Sequence, residues 1–504
     1  MTKGCFMATL DLQDAYFLIP IDENSRKFLR FMWKDGLWEF VCLPFGLNTA
    51  PWLYTKITKP VVNHLREKGF TSVVYLDDWL CLGRNVQECA KNIESTQQIL
   101  RSLGFLINEN KSNLIPSTRC QFLGFILDSS RMTLELPEKK KQLILSLIKE
   151  FKTLQTCTIR EFAQFVGNIT AACPAVQYGW VYSKGFERQK YLALLKSGGN
   201  YDARMKLSTT LNSDFAWWES HISEAINPIK QQKYALEIFS DASLTGWGAA
   251  CNGETTYGAW NESERNAHIN YLELVAAYYA LRCFATTKYD CEILLRIDNT
   301  TAIAYINRMG GIQYPHLNGI ARKIWQWCER RGLWITASYI ASKENVEADQ
   351  GSRTINIDTE WELAPWAFQT IVRKFGIPEI DLFATRNNKK CKKFCSWHRD
   401  PEAFCVDAFT IDWKEYSFYA FPPFALILRV LRKIQVNQAQ GVLIVPYWKS
   451  QPWFPLWKSM LVSQPLYFEP NQNLLLSACR KIQHPLAGKL TLVAGILSGK
   501  TSKD

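Results

Sequence analysis

Apolar positions along this chain change their period several times, and each change marks an element. Phe6, Ala8 and Leu10 alternate with their neighbours and the run closes on Asp11, which predicts a β-strand near the N-terminus. In SVVYLDDWLCLG, from Ser72, strand-forming residues flank Asp77 and Asp78, predicting a hairpin with two acids at its tip. From about residue 131 to 235 the period lengthens to that of helices. PEKKKQLILSLIKEF spaces its apolar residues by three and four with lysines on the other face. TIREFAQFVGNITAA does the same behind Thr158, an N-cap candidate with Glu161 three residues on. EIFSDASLTGWGAAC then reads as strand, Gly-bearing turn and strand, INYLELVAAYYAL as a helix, and ILLRIDNTTAIAYINR as another strand and helix. The last 150 or so residues run strand, acidic residue, strand, Pro-Pro-aromatic, helix, strand, a further α/β unit. The expected class is a multidomain α/β and α+β chain, divided at 1–130, 131–235, 236–353 and 354–504. Linkers are expected at SGGNYD (from Ser197) and SRTINIDTE (from Ser352), with no internal repeat or low-complexity stretch.

Adjacent like charges repel, and Asp is a poor strand residue, so Asp77 and Asp78 call for a compensating positive charge. A pair of divalent ions is the economical candidate, and a solvated Asp-Asp turn is the plain alternative. A second acidic site, Asp11 with Asp14, interrupts the first strand, and Tyr16 follows Asp11 by five positions.

These segments resemble motifs A and C of the reverse transcriptase palm. LPFGLNTAPWLYTK, from Leu43, resembles motif B, GFLINENKS near Lys111 resembles motif D, and CQFLGFILD resembles the primer grip. The resemblance implies two-metal nucleotide addition, with Asp11 and Asp77 as metal ligands and Asp78 completing the set. Carboxylate oxygens suit Mg2+ or Mn2+, two ions per active site. Tyr16 would exclude a ribose 2′-hydroxyl, Gly46 would let the backbone approach the incoming base, and Phe45, Lys111, Phe122, Leu123 and Gly124 would complete the substrate contacts. The implied partners are an RNA template, a DNA primer and deoxynucleoside triphosphates. Only ten residues precede Asp11, so the fingers region of such enzymes is expected to be encoded elsewhere or lost, in a piece of a longer polyprotein. Arg26, Lys27 and Arg30 read as a solvated face.

Downstream, Asp241, Glu273, Asp298 and Asp349 each close a strand or enter a helix of a β/α alternation, a placement that gathers acids at one sheet edge. In order they resemble the Asp-Glu-Asp-Asp tetrad of ribonuclease H, which implies metal-assisted cleavage of the RNA strand of an RNA–DNA hybrid. The His that many such enzymes carry before the last Asp is missing from SYIASKENVEAD, which lowers the expected turnover. The intervening helices would be a thumb and connection.

The C-terminal segment resembles the adenine methyltransferase-like domain of DIRS-type retrotransposons. Phe421 stands before Pro422, Pro423 and Phe424 where such enzymes place Asn or Asp. A phenyl ring accepts no hydrogen bond from a target amino group, so methyl transfer is not expected there. The combination points to the DIRS-like group, although no tyrosine recombinase candidate is present.

Composition adds less. Fifty-nine Lys and Arg against 47 acids give +12, suited to a polyanionic partner. Fifteen irregularly spaced Cys without a secretory signal predict reduced thiols in the cytoplasm or nucleus. Cys391, Cys395, His398 and Cys405 do not match a familiar zinc spacing. No apolar run is long enough to span a membrane. The competing reading is a retroelement remnant that binds nucleic acid without catalysis, or retains ribonuclease H activity alone; the oligomeric state is left open.

Overall fold

The computed structural model describes residues 1–354, 361–477 and 483–500. The linker expected from Ser352 falls largely outside the described residues. The chain divides into two compact units, Met1–Gln231 and Gln232–Asp504.

In the first unit, β1 (Phe6–Gln13), α1 (Ala50–Glu67), β2 (Thr71–Tyr75), β3 (Asp78–Gly83) and α2 (Val86–Ser102) build an antiparallel sheet backed by helices. The order β2-β3-β1 is extended on β1 by Leu106–Ile107 and Asn113–Ser117. Strand alternation sends Leu10 and Leu12 into a core with Tyr54 and Leu65 of α1, Trp79 of β3 and Leu100 of α2. Asp11, between the two leucines, is thereby left on the other face.

Arg119–Phe122, Phe125–Asp128, Thr133–Glu135 and Ile226–Pro228 form a second antiparallel sheet. Helices follow, including α3 (Glu138–Thr153) and α4 (Ile159–Ala172), joined around stacked rings such as Phe151 and Phe165, 4.7 Å apart. The expected helical stretch is thus helical with short strands interspersed. Three-residue strands are too brief for an alternating pattern to declare itself.

The second unit opens with β4 (Tyr234–Ala242), β5 (Gly246–Cys251), β6 (Glu254–Ala259), α5 (Ile269–Phe284), β7 (Glu292–Ile297), α6 (Pro315–Glu329), β8 (Trp334–Tyr339) and α7 (Val346–Arg353). The strand order is β6-β5-β4-β7-β8, antiparallel through β4 and parallel beyond it.

A seven-stranded sheet follows in the chain. Its parallel strands are β9 (Ile380–Asp381), β10 (Lys393–Ser396), β11 (Cys405–Val406), β12 (Phe418–Ala420) and β13 (Gln440–Pro446). The order β11-β10-β9-β12-β13 reverses direction at β9; Leu492–Ser498 adds antiparallel to β13, and Leu466–Phe468 closes the edge antiparallel to Leu492–Ser498.

Cys395 and Cys405, facing each other across β10 and β11 with Cα atoms 4.9 Å apart, are paired as a disulfide, against the expectation of reduced thiols throughout. Cys391 is free. Among the described residues no helix is long and apolar enough to cross a membrane.

Candidate active sites

The hairpin of β2 and β3 turns on two residues, Leu76 and Asp77, because Tyr75 pairs directly with Asp78. Leu76 takes φ 55°, the left-handed turn residue that a tight hairpin demands. β1 lies on the other side of β3 in a register that sets Asp11 opposite Asp78. The Leu12 N–H donates to the Asp77 carbonyl at 3.1 Å, tying the turn to β1. Three acids therefore meet at one corner of the sheet. Burial raises the Asp11 carboxyl, Lys111 opposes it and Asp77 adds to it. Burial also raises Asp78, helped by Asp77 and Asp11 and opposed by Lys111. Lys111 thus supplies local positive charge to both carboxyls. The Asp11 N–H donates to Ser112 Oγ at 3.0 Å, a contact the sequence did not announce.

Tyr16 stands in the same neighbourhood, its hydroxyl raised first by burial and then by Asp77. Its ring packs 5.2 Å from Phe45 and 5.1 Å from Tyr54. Gly46 has φ 88°, and a Cβ there would meet nothing within 4 Å, so backbone conformation rather than crowding calls for glycine. Leu123 and Gly124, both at positive φ, turn the hairpin after Phe122 in the second sheet.

The second unit brings three acids closer still. β4 and β7 run parallel with Phe239 beside Arg296, and the same offset sets Asp241 beside Asp298 at their carboxyl ends. Glu273 projects from α5. Carboxylate oxygens of Asp241, Glu273 and Asp298 all lie within 4.8 Å of one another, the one such group among the described residues. Asp241 and Glu273 are each 4% exposed, and Asp241 Oδ2 and Glu273 Oε2 are buried without a hydrogen-bond partner. Burial and the neighbouring carboxylates push Asp241 up to about 6 and Glu273 up to about 9. Orphaned, mutually repelling oxygens of this kind fit a divalent cation.

Asp349 is not in the trio. It sits on α7, where Arg353 grips its Oδ1 through Nε at 2.9 Å and Nη2 at 2.7 Å. α7 lies directly on β5: a Cβ at Gly248 would fall 2.1 Å from the Ala348 carbonyl oxygen, so only glycine permits the approach. Ser342 donates to Asp298 Oδ2 at 2.6 Å, and Asn345 Nδ2 donates to the Ser240 carbonyl at 3.1 Å. Sequence reasoning missed both; their only signal was polarity in the run between β8 and Asp349.

In the C-terminal half, Asp381 ends β9 beside the point where strand order reverses, the usual place for a crevice in such sheets. Its carboxylate accepts the N–H groups of Phe383 and Lys390. Phe421 is half-buried and packs against the apolar core, 6.4 Å from Phe424.

Residues 1–127 match the family model described as reverse transcriptase (RNA-dependent DNA polymerase). The N-terminal part is a reverse transcriptase domain. Residues 351–461 match the model for DNA N-6-adenine-methyltransferase (Dam). Homologues are polyproteins of viruses and retrotransposons. Polyprotein P3 of Commelina yellow mottle virus is 22% identical over 385 residues, 72% of this chain and 19% of that protein. The putative enzymatic polyprotein of Cassava vein mosaic virus is 21% identical over 389 residues, 70% and 54% of the two lengths. The retrovirus-related Pol polyprotein from transposon gypsy of Drosophila melanogaster is 30% identical over 296 residues, 55% and 27%. The chain thus spans from a fifth to about half of these relatives. A solved foamy viral protease-reverse transcriptase in complex with double-stranded DNA aligns at 19% identity and TM-score 0.39, over 68% of this chain and 57% of that one.

Proposed function

We propose that this chain is a retroelement reverse transcriptase with two separate metal-dependent sites, one extending a DNA primer on an RNA template and one hydrolysing the RNA strand of an RNA–DNA hybrid. The observation that carries the reading is the trio Asp241, Glu273 and Asp298. Three converging carboxylates, two with orphaned buried oxygens, are costly unless a cation completes them.

Divalent ions, Mg2+ or Mn2+, would lower the pKa of the attacking oxygen and offset charge on the leaving one. At the polymerase site Asp11, Asp77 and Asp78 would hold them. Lys111 tempers the repulsion among these acids, and the Tyr16 ring, fixed between Phe45 and Tyr54, would exclude the 2′-hydroxyl of a ribonucleotide and so favour an incoming deoxynucleoside triphosphate. At the hydrolytic site Asp241, Glu273 and Asp298 would hold them. Asp349 serves as the fourth acid after release from Arg353, and Ser342 orients Asp298. In the third part, the match to an adenine methyltransferase model and the reversal of strand order at β9 support descent from such an enzyme. Phe421 in the Pro-Pro motif argues against methyl transfer. This combination is the one expected of the DIRS-like group.

The test is one gel with a labelled DNA primer on a separately labelled RNA template. Asp77→Asn is expected to abolish extension and leave cleavage, and Asp298→Asn the reverse. Each loss should be on the order of 10²–10³-fold, as when one electrostatic stabiliser is removed from a site. Loss of both activities in either single variant would overturn the two-site reading. Movement of neither label with Mg2+ or Mn2+ would leave a nucleic-acid-binding remnant.

A further inference from the structure

α5, the helix that presents Glu273, is buried nearly all round, including Leu272, Leu274, Ala277 and Ala280. The sheet and α6 cover part of it. Its C-terminal half is held by the segment of the C-terminal half between Arg386 and Arg399.

Arg386 is the centre of that contact, its side chain 4% exposed. Nη1 donates to Glu264 Oε1 at 3.2 Å and to the Tyr279 hydroxyl at 2.6 Å. Nη2 donates to Glu264 Oε2 and, at 3.2 Å, to the Ala259 carbonyl, which also accepts from Asn387 Nδ2 at 2.9 Å. Tyr279 in turn donates to Glu264 Oε1 at 2.5 Å. One guanidinium therefore joins the end of β6, the turn leading into α5, and α5 itself. Arg399 takes a second grip: Nε reaches Glu254 at 2.7 Å, at the start of β6, and Nη1 reaches the Cys283 carbonyl at 3.3 Å, in the last turn of α5.

A buried ion pair is a poor device for stability alone, since apolar residues of equal volume do as well. What a forked guanidinium adds is direction, because its N–H groups fix the planes and distances of every acceptor. Tyr279 and Glu273 are six residues apart on one rigid helix, so whatever orients the first orients the second. We propose that the C-terminal half acts as a brace for the hydrolytic site, with Arg386 the positioning residue that fixes α5 and thereby Glu273. This rests on the hydrolytic reading above. It assigns the domain with the altered Pro-Pro motif a mechanical role in the neighbouring chemistry.

The test uses the full chain and two variants, Arg386→Met and Arg386→Met combined with Glu264→Gln. The second removes the Glu264 charge together with that of Arg386, and Asp400 keeps its hydrogen bonds from the Arg386 and Glu402 backbone N–H groups, so it holds the fold better than the first. Amide exchange is followed over residues 259–284. Mn2+ binding is read by electron paramagnetic resonance, with Asp298→Asn defining the ion that belongs to this site. Hybrid cleavage is resolved into kcat and KM. The double variant is expected to melt near the parent, yet to exchange faster over 259–284 and bind Mn2+ more weakly. Its kcat should fall about 10- to 100-fold at nearly unchanged KM, the effect of a small misplacement of a reacting group. Parental exchange and Mn2+ affinity in the double variant would overturn the proposal. If the parent neither binds Mn2+ nor cleaves, the hydrolytic reading fails by itself, and unchanged exchange in the variants would then remove the brace as well.

Discussion

At the scale of residues, the converging carboxylates of Asp241 and Glu273 carry a consequence for pH. Glu273 sits near 9 and Asp241 near 6, both raised chiefly by burial. A carboxyl raised above its ordinary value contributes stability below that ordinary value, and the contribution is lost as pH climbs through the raised one. The metal-free protein should therefore weaken between about pH 4.5 and 9, the window set by Glu273. A divalent ion needs the carboxylate, so its binding must expel the proton. Calorimetry at pH 7.5 in two buffers of different ionisation enthalpy should show proton release with Mg2+, and Glu273→Gln should remove most of it. Equal apparent heats in both buffers for the parent would contradict this. The acids themselves were legible in the sequence as candidates, since Asp241 and Asp298 close apolar runs and Glu273 enters a helical one. Their partners were not: Ser342 meets Asp298 from 44 residues away, and Arg353 turns Asp349 aside through a contact that depends on a rotamer.

At the scale of elements, legibility followed length and capping. Thr158 and Glu161 form the reciprocal capping box that their spacing foretold, with Glu161 N–H donating to Thr158 Oγ1 at 3.2 Å and Thr158 N–H to Glu161 Oε2 at 2.8 Å. Thr158→Ala should cost about 1 kcal/mol, the usual loss for an N-cap. In a unit this large that lowers the melting temperature by about 2–4 °C, measurable by following the N-terminal transition in differential scanning calorimetry; no shift would mean the cap is redundant there. The hairpin carrying Asp77 was equally readable, because β-formers flank the acids on both sides. The short strands at Thr133–Glu135, Thr156–Thr158 and Ile226–Pro228 were hidden, since their pairing is set by distant partners rather than by local pattern.

At the scale of the whole molecule, the two acidic clusters fall in separate compact units that divide after Gln231. The change from helical to strand periodicity lies near residue 235, a few residues after that division. By contrast, the close union of the two halves of the second unit was invisible, because Arg386 finds Glu264 across 122 residues. Each unit buries its own core: Leu10, Tyr54 and Trp79 in the first, Ile380, Phe418 and Leu443 in the last part of the second. Among the described residues the cluster around Leu10 and the cluster around Ile380 each draw on one unit, and all members of the Asp241 trio lie beyond the boundary. A site-specific protease sequence inserted after Gln231 should then yield, on cleavage, two fragments of which the heavier still cuts the RNA of a preformed hybrid. Affinity for the hybrid should drop as positive charge is parted from it, and the drop should shrink at high salt, where fewer counterions are released. Fragment 232–504 losing cleavage while retaining its melting transition would show that the first unit supplies part of the hydrolytic site, and the two-site division would have to be abandoned.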